Sequence, residues 1–81
     1  MNSRNRFIAE VPSLRQANGI RWLILEEDVE QTGGWYLYGH QDLDEGSDFD
    51  SWHLTRAQAL QEAITRWGIT ESDWKTDRRT D

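Results

Sequence analysis

The 81-residue sequence predicts an α+β domain, a three-stranded antiparallel meander with one main helix packed on one face (β-β-β-α). Three observations predict it. Residues 55–68 hold the start, the period and the stop of one amphipathic helix. Residues 20–27 are apolar on both faces through Trp22, Leu23, Ile24 and Leu25 with an acidic ending, residues 35–40 are aromatic, and the connection between them closes on Gly33-Gly34. A third strand, 49 to 53 or 54, leads directly into the helix.

The helix is the most fully specified element. Thr55 and Gln58 form a capping box, in which the Thr55 hydroxyl accepts the Gln58 amide and the Gln58 side chain returns to the Thr55 amide. Leu54 and Ala59 occupy the hydrophobic-staple positions, and Leu60, Ala63, Ile64 and Trp67 recur at the spacing of one face. Gly68 can turn left-handed without a steric penalty, and Ile69 is placed to fold back on Ile64, as in a Schellman ending.

Within the second strand, Trp35, Leu37 and Gly39 lie on one face and Tyr36, Tyr38 and His40 on the other, so both faces carry rings. In the third, Asp50, Trp52 and Leu54 share a side. Thr70 and Asp73 form a second cap for a helical turn over 71–76 that returns Trp74 to the core. Residues 1–18 form an N-terminal arm with three readings: a short edge strand stopped by Pro12, a helical turn opened by Pro12 and ended by Gly19, or disorder. The α+β domain spans 19–76, and a frayed tail spans 77–81.

A chain of this length with 36% hydrophobic residues supports one domain with one modest core. The absence of cysteine excludes disulfides, thiolate metal sites and a cysteine nucleophile. The longest unbroken apolar run, 22–25, is far short of the roughly 20 residues of a membrane helix, and no signal peptide is evident, so a cytoplasmic protein is expected. The net charge of −6 is uneven. Residues 19–74 set Arg21, Arg56 and Arg66 against twelve carboxylates, net −9, whereas residues 1–18 carry net +2 and residues 75–81 net +1. An acidic body with basic ends repels phosphate backbones and attracts basic partners.

Three groups of residues are candidates for chemistry. Asp42, Asp44, Asp48 and Asp50 match positions 1, 3, 7 and 9 of a calcium loop, but Ser47 stands where glycine is needed and His53 where a bidentate glutamate closes the site. A solvated acidic hairpin loop fits better. His40 and His53 lie on successive strands and would approach each other if the strands pair, giving a metal or acid-base pair beside Asp42 or Asp50. Histidines on a sheet surface are the simpler reading, and no phosphate loop, nucleophile elbow or zinc-protease motif is present. No metal or cofactor is expected. Among five tryptophans, two tyrosines and two phenylalanines, Trp67 and Trp52 are assigned to the core, and Trp35, Tyr36 and Tyr38 to a binding surface.

The segment Asp50-Ser51-Trp52-His53-Leu54-Thr55, followed by Ala57, Ala59, Ala63, Trp67-Gly68-Ile69 and Trp74, resembles a group of short bacterial proteins with no established activity. More loosely, the strand, threonine cap and alanine-rich helix are similar to the β-α unit of HicB-type antitoxins, a resemblance that implies binding to a small basic toxin. Those antitoxins carry a Pro-Asp-x-Pro-Gly-Cys segment where this chain has Gln41-Asp42-Leu43-Asp44-Glu45-Gly46.

The resulting expectation is a non-catalytic bacterial protein-binding module, regulatory or antitoxin-like. Trp35, Tyr36 and Tyr38 would anchor the partner, and Asp42, Asp44 and Asp48 would steer a basic one. A lone helix leaves the second sheet face to residues 1–18, to a second copy or to a partner. The alternatives are a nucleic-acid accessory protein using Arg4, Arg6, Arg15, Arg78 and Arg79, and a small metal-dependent or hydrolytic enzyme around His40 and His53.

Overall fold

A computed structural model describes residues 6–16, 19–29 and 31–76. Among these residues five strands, not three, form the sheet: β1 (Arg6–Glu10), β2 (Trp22–Glu27), β3 (Trp35–His40), β4 (Phe49–His53) and β5 (Lys75–Thr76). Their order is β4-β3-β2-β1-β5, and every neighbouring pair is antiparallel. The helix α1 (Arg56–Trp67) covers one face.

The central meander arises as the pattern requires. β2 has no polar side and is buried through Leu23, Ile24 and Leu25, as expected of a strand with neighbours on both edges. β3 alternates buried and half-buried residues along its length. The β1 residues pair with β2 from Arg6↔Glu26 to Glu10↔Trp22, so the N-terminal segment extends the sheet laterally. Pro12 then ends the strand and a 3-10 turn follows at Ser13–Arg15, so elements of two readings of the arm coexist. The strand reading of residues 7–11 is realised in β1, which is not an edge because β5 lies beyond it; the three-strand expectation left it out because a five-residue strand stabilised by a distant partner has little local signal. β5, with two residues paired to Phe7 and Ile8, has none. Residues 77–81 of the expected tail lie outside the described residues.

Thr55 caps α1, its hydroxyl accepting the Gln58 amide at 3.2 Å. The return half of the expected capping box is shifted by one residue: the Gln58 side chain accepts from the Leu54 amide. Leu54, 63% exposed, makes no staple. The covered face is Ala59, Ala63 and Trp67 with Leu60 partly buried, whereas Ile64 is 45% exposed. Small residues at 59 and 63 let the helix approach the sheet closely, which turns Ile64 outwards. Gly68, at φ +67°, ends the helix with its amide on the Ile64 carbonyl. Ile69 is buried beside Ala63 and Trp67 rather than against Ile64. Arg15 donates to the Gly68 carbonyl at 2.9 Å, tying the N-terminal turn to the helix end.

One core lies between α1 and the sheet. Ala9, Val11, Ile20, Leu23, Leu37, Ala63, Trp67 and Ile69 form its larger part, and Leu25, Trp35 and Ala59 the smaller. Phe49 meets Trp67 edge-on at 5.3 Å between centroids. The second cap forms as read, with Thr70 and Asp73 exchanging both capping-box bonds, and Trp74 packs half-buried against both parts of the core. The turn it starts is a single 3-10 turn, Glu71–Asp73, before the chain extends into β5.

Candidate protein-binding face

Cross-strand register arranges the uncovered face of the sheet in three rows. Arg6, Glu26, Tyr36 and Trp52 form the first, Lys75, Ile8, Ile24, Tyr38 and Asp50 the second, and Glu10, Trp22 and His40 the third. The rows follow from strand parity, because each of these residues lies two positions from the next on its strand. Four rings therefore lie on the side opposite α1. Tyr36 and Tyr38 stack along β3 with centroids 5.6 Å apart and planes 14° apart. Ile24 is fully buried at the centre of this face, so the rings and their neighbours form a thin apolar layer of their own. The N-terminal segment does not cover it among the described residues.

Trp52 is held in place by the β2–β3 connection. Asp28 donates its amide to the Gly34 carbonyl and accepts the Gly33 amide, and its carboxylate accepts the Thr32 hydroxyl at 2.9 Å. That hydroxyl accepts the Trp52 indole N–H at 3.0 Å. The ring packs against Gly34 so closely that a Cβ there would fall 2.4 Å from ring carbons. At the other end, a groove of about 470 Å³ runs between Ile8, Glu10, Trp22 and Lys75 on the sheet and Ser72 and Asp73 in the turn before β5.

Carboxylates border the rings. Glu26 is paired with Tyr36, Asp50 with Tyr38, and Glu10 with Trp22. Arg6 approaches Glu26 at 3.9 Å. Burial, and after it the Glu26 charge, raises the Tyr38 phenol above its ordinary value. A group whose folded-state pKa is raised contributes stability at pH values below its unfolded pKa, about 10, and loses it as pH rises through the folded value. Melting temperature is therefore expected to fall above about pH 10, and Tyr38→Phe should flatten that alkaline limb while leaving the neutral-pH melt within a few degrees.

The sequence-predicted site is only partly assembled. Tyr36 and Tyr38 lie on the open face as expected. Trp35 does not: it is 9% exposed and packs with Leu25 and Ala59 beneath the helix, because its parity matches Leu37. Trp52, assigned to the core, is instead 43% exposed on the open face. Trp22 was missed as a surface ring, although its spacing from Ile24 and Glu26 places all three on one side. Asp42, Asp44 and Asp48 stay exposed in the β3–β4 connection, where they shape the loop: Asp42 accepts the Asp44 amide at 2.9 Å and Asp48 the Gln41 amide at 3.0 Å.

The expected approach of His40 to His53 does not occur. His53 is opposite Trp35, at the far end of β3 from His40, roughly 16 Å along the strand and on the helix side of the sheet. His53 Nε2 instead lies 2.8 Å from the Ser51 hydroxyl, and the buried Nδ1 of His40 has no hydrogen-bond partner among the described residues. No group of three or more metal-binding side chains occurs among those residues. Of the arginines assigned to nucleic-acid contact, Arg6 and Arg15 make the intramolecular contacts given above, and Arg4, Arg78 and Arg79 lie outside the described residues. No described helix is long and apolar enough to cross a membrane.

No family model, curated protein or solved structure matches this chain. The functional reading therefore rests on the face itself.

Proposed function

We propose that the chain is a non-catalytic protein-binding module, of a bacterial regulatory or antitoxin-like kind, that receives a basic partner on its open sheet face. The observation that carries this reading is the ring layer of Trp22, Tyr36, Tyr38 and Trp52, bordered by Glu10, Glu26 and Asp50. Tyrosine and tryptophan dominate binding hot spots because a large rigid surface is buried with little loss of rotamer freedom. An arginine or lysine laid over the stacked tyrosines would meet ring faces and a carboxylate together. The loop acids Asp42, Asp44 and Asp48 act at longer range, raising the rate of encounter more than the strength of the complex.

The reading is tested by capture from a bacterial lysate with the wild-type chain and with Tyr36→Ala/Tyr38→Ala, the fold of each being checked by circular dichroism. A basic protein retained at about 0.05 M salt and released at about 0.5 M is expected. The double variant should lose about 2 kcal/mol or more of binding, roughly 30-fold. Equal retention by both chains would exclude the tyrosine face as the binding surface.

A further inference from the structure

Among the described residues the sheet ends at β4, whose only neighbour is β3. The hydrogen-bond alternation can be followed to that edge. The Asp28 amide donates to the Gly34 carbonyl and the Val11 amide to the Arg21 carbonyl. In the registers observed, these two bonds make even-numbered β2 residues bond β3 and odd-numbered ones bond β1. On β3 the even-numbered residues therefore face β2 and the odd-numbered ones face β4. On β4, Phe49, Ser51 and His53 bond inwards, and the amides and carbonyls of Asp50 and Trp52 point out from the sheet edge.

This edge lacks the strongest of the usual protections, although Asp50 places one charge on it. Its five residues, Phe-Asp-Ser-Trp-His, include no proline and no lysine. Two large apolar side chains lie exposed on or beside it, Trp52 and Leu54. The edge is also complementary to itself. If a second copy is laid antiparallel about a two-fold axis through Ser51, Asp50 pairs with the partner's Trp52 and Trp52 with the partner's Asp50. Those are the two residues whose backbone groups point outwards, so four new ladder bonds form with correct alternation. Phe49 then faces the partner's His53, and Ser51, a small side chain, faces itself. No carboxylate is set opposite a carboxylate, whereas a two-fold axis through Asp50 would set Asp50 opposite itself.

We propose that the occupant of the β4 edge is a second copy of this chain, giving a two-fold dimer with one continuous ten-stranded sheet. The two ring faces then lie side by side on a single surface. The edge contact is made by backbone groups of Asp50 and Trp52, whose side chains belong to the ring face, and the two contacts respond oppositely to salt. Two acidic copies, each of formal charge −6, repel, so added salt should strengthen the dimer while it weakens a basic partner.

Sedimentation of the full chain tests the proposal, with the monomer at 9.6 kDa. A dimer with a Kd between about 1 μM and 1 mM is expected, its fraction rising between about 0.05 and 0.5 M salt. Asp50→Pro removes an outward-pointing amide that β3 does not use, and should give a folded monomer. Ser51→Cys introduces the sole cysteine at the axis, where facing Cα atoms lie about 4.5 Å apart, and should oxidise to a covalent dimer faster than Gln61→Cys on the outer helix surface. A wild-type monomer at about 1 mM would overturn the proposal. So would a dimer that Asp50→Pro leaves intact, or Ser51→Cys and Gln61→Cys chains that cross-link at equal rates.

Discussion

Leu37→Ala is expected to lower the melting temperature by at least about 10 °C, and to leave much of the chain unfolded at 37 °C. Leu37 is fully buried at the middle of β3, paired with Leu25 on one side and Ser51 on the other, and lies in the cluster that α1 closes with Ala63 and Trp67. Truncating a leucine in such a site costs about 2–5 kcal/mol, through lost transfer free energy and the cavity left behind. A domain of this size has a total stability of about 5 kcal/mol at the low end of the usual range. The alanines at 59 and 63 have no longer side chain to move into the cavity, so little relaxation is expected. Thermal unfolding followed by circular dichroism decides the point, and a fall below about 5 °C would mean that the seam between helix and sheet is not where the stability lies.

Gly34→Ala is expected to destabilise by about 1–3 kcal/mol, and the loss should vanish in a Trp52→Ala background. The added methyl would lie 2.4 Å from the Trp52 Cε2 and Cζ2 atoms, so the ring must leave its place. Moving it breaks the indole bond to Thr32 and disturbs the hydroxyl that also accepts the Gly34 amide and donates to Asp28. The backbone of Gly34, unlike that of Gly33, is not left-handed, so the penalty is one of space and not of conformation. A double-mutant cycle with urea as denaturant measures the coupling. A value within about 0.5 kcal/mol of zero would show that Trp52 does not rest on Gly34. The variant also probes the open face, because displacing Trp52 removes one of its four rings while leaving the stacked tyrosines in place.

The legible part of the candidate site was the part governed by parity. Tyr36 and Tyr38 share a face because a strand alternates, and that held irrespective of what packed around them. Trp35 and Trp52 were exchanged for a single reason: composition says that a ring suits a strand, but only the position of the helix says which face is inside. Once α1 lies over Leu37, Trp35 must follow it inwards and Trp52, in register with Tyr36, must face outwards. The histidine pair failed because pairing brings Trp35, not His40, opposite His53; a hairpin read as a simple fold-back at 41–48 carries no information on register. The acidic loop is solvated, as its composition predicts, but its carboxylates also accept the loop's own amides.

The sequence alone determined the helix from Thr55 to Gly68, the bounds of β3, the start of β4, the second cap at Thr70 and the α+β class, because each depends on interactions between residues close in the chain. Only the tertiary structure decided that the first described residues extend the sheet, that Lys75–Thr76 close its far edge, and which rings are left uncovered. Those outcomes depend on pairings between residues far apart in sequence, whose free energy appears only after the helix has selected one face of the sheet and buried it.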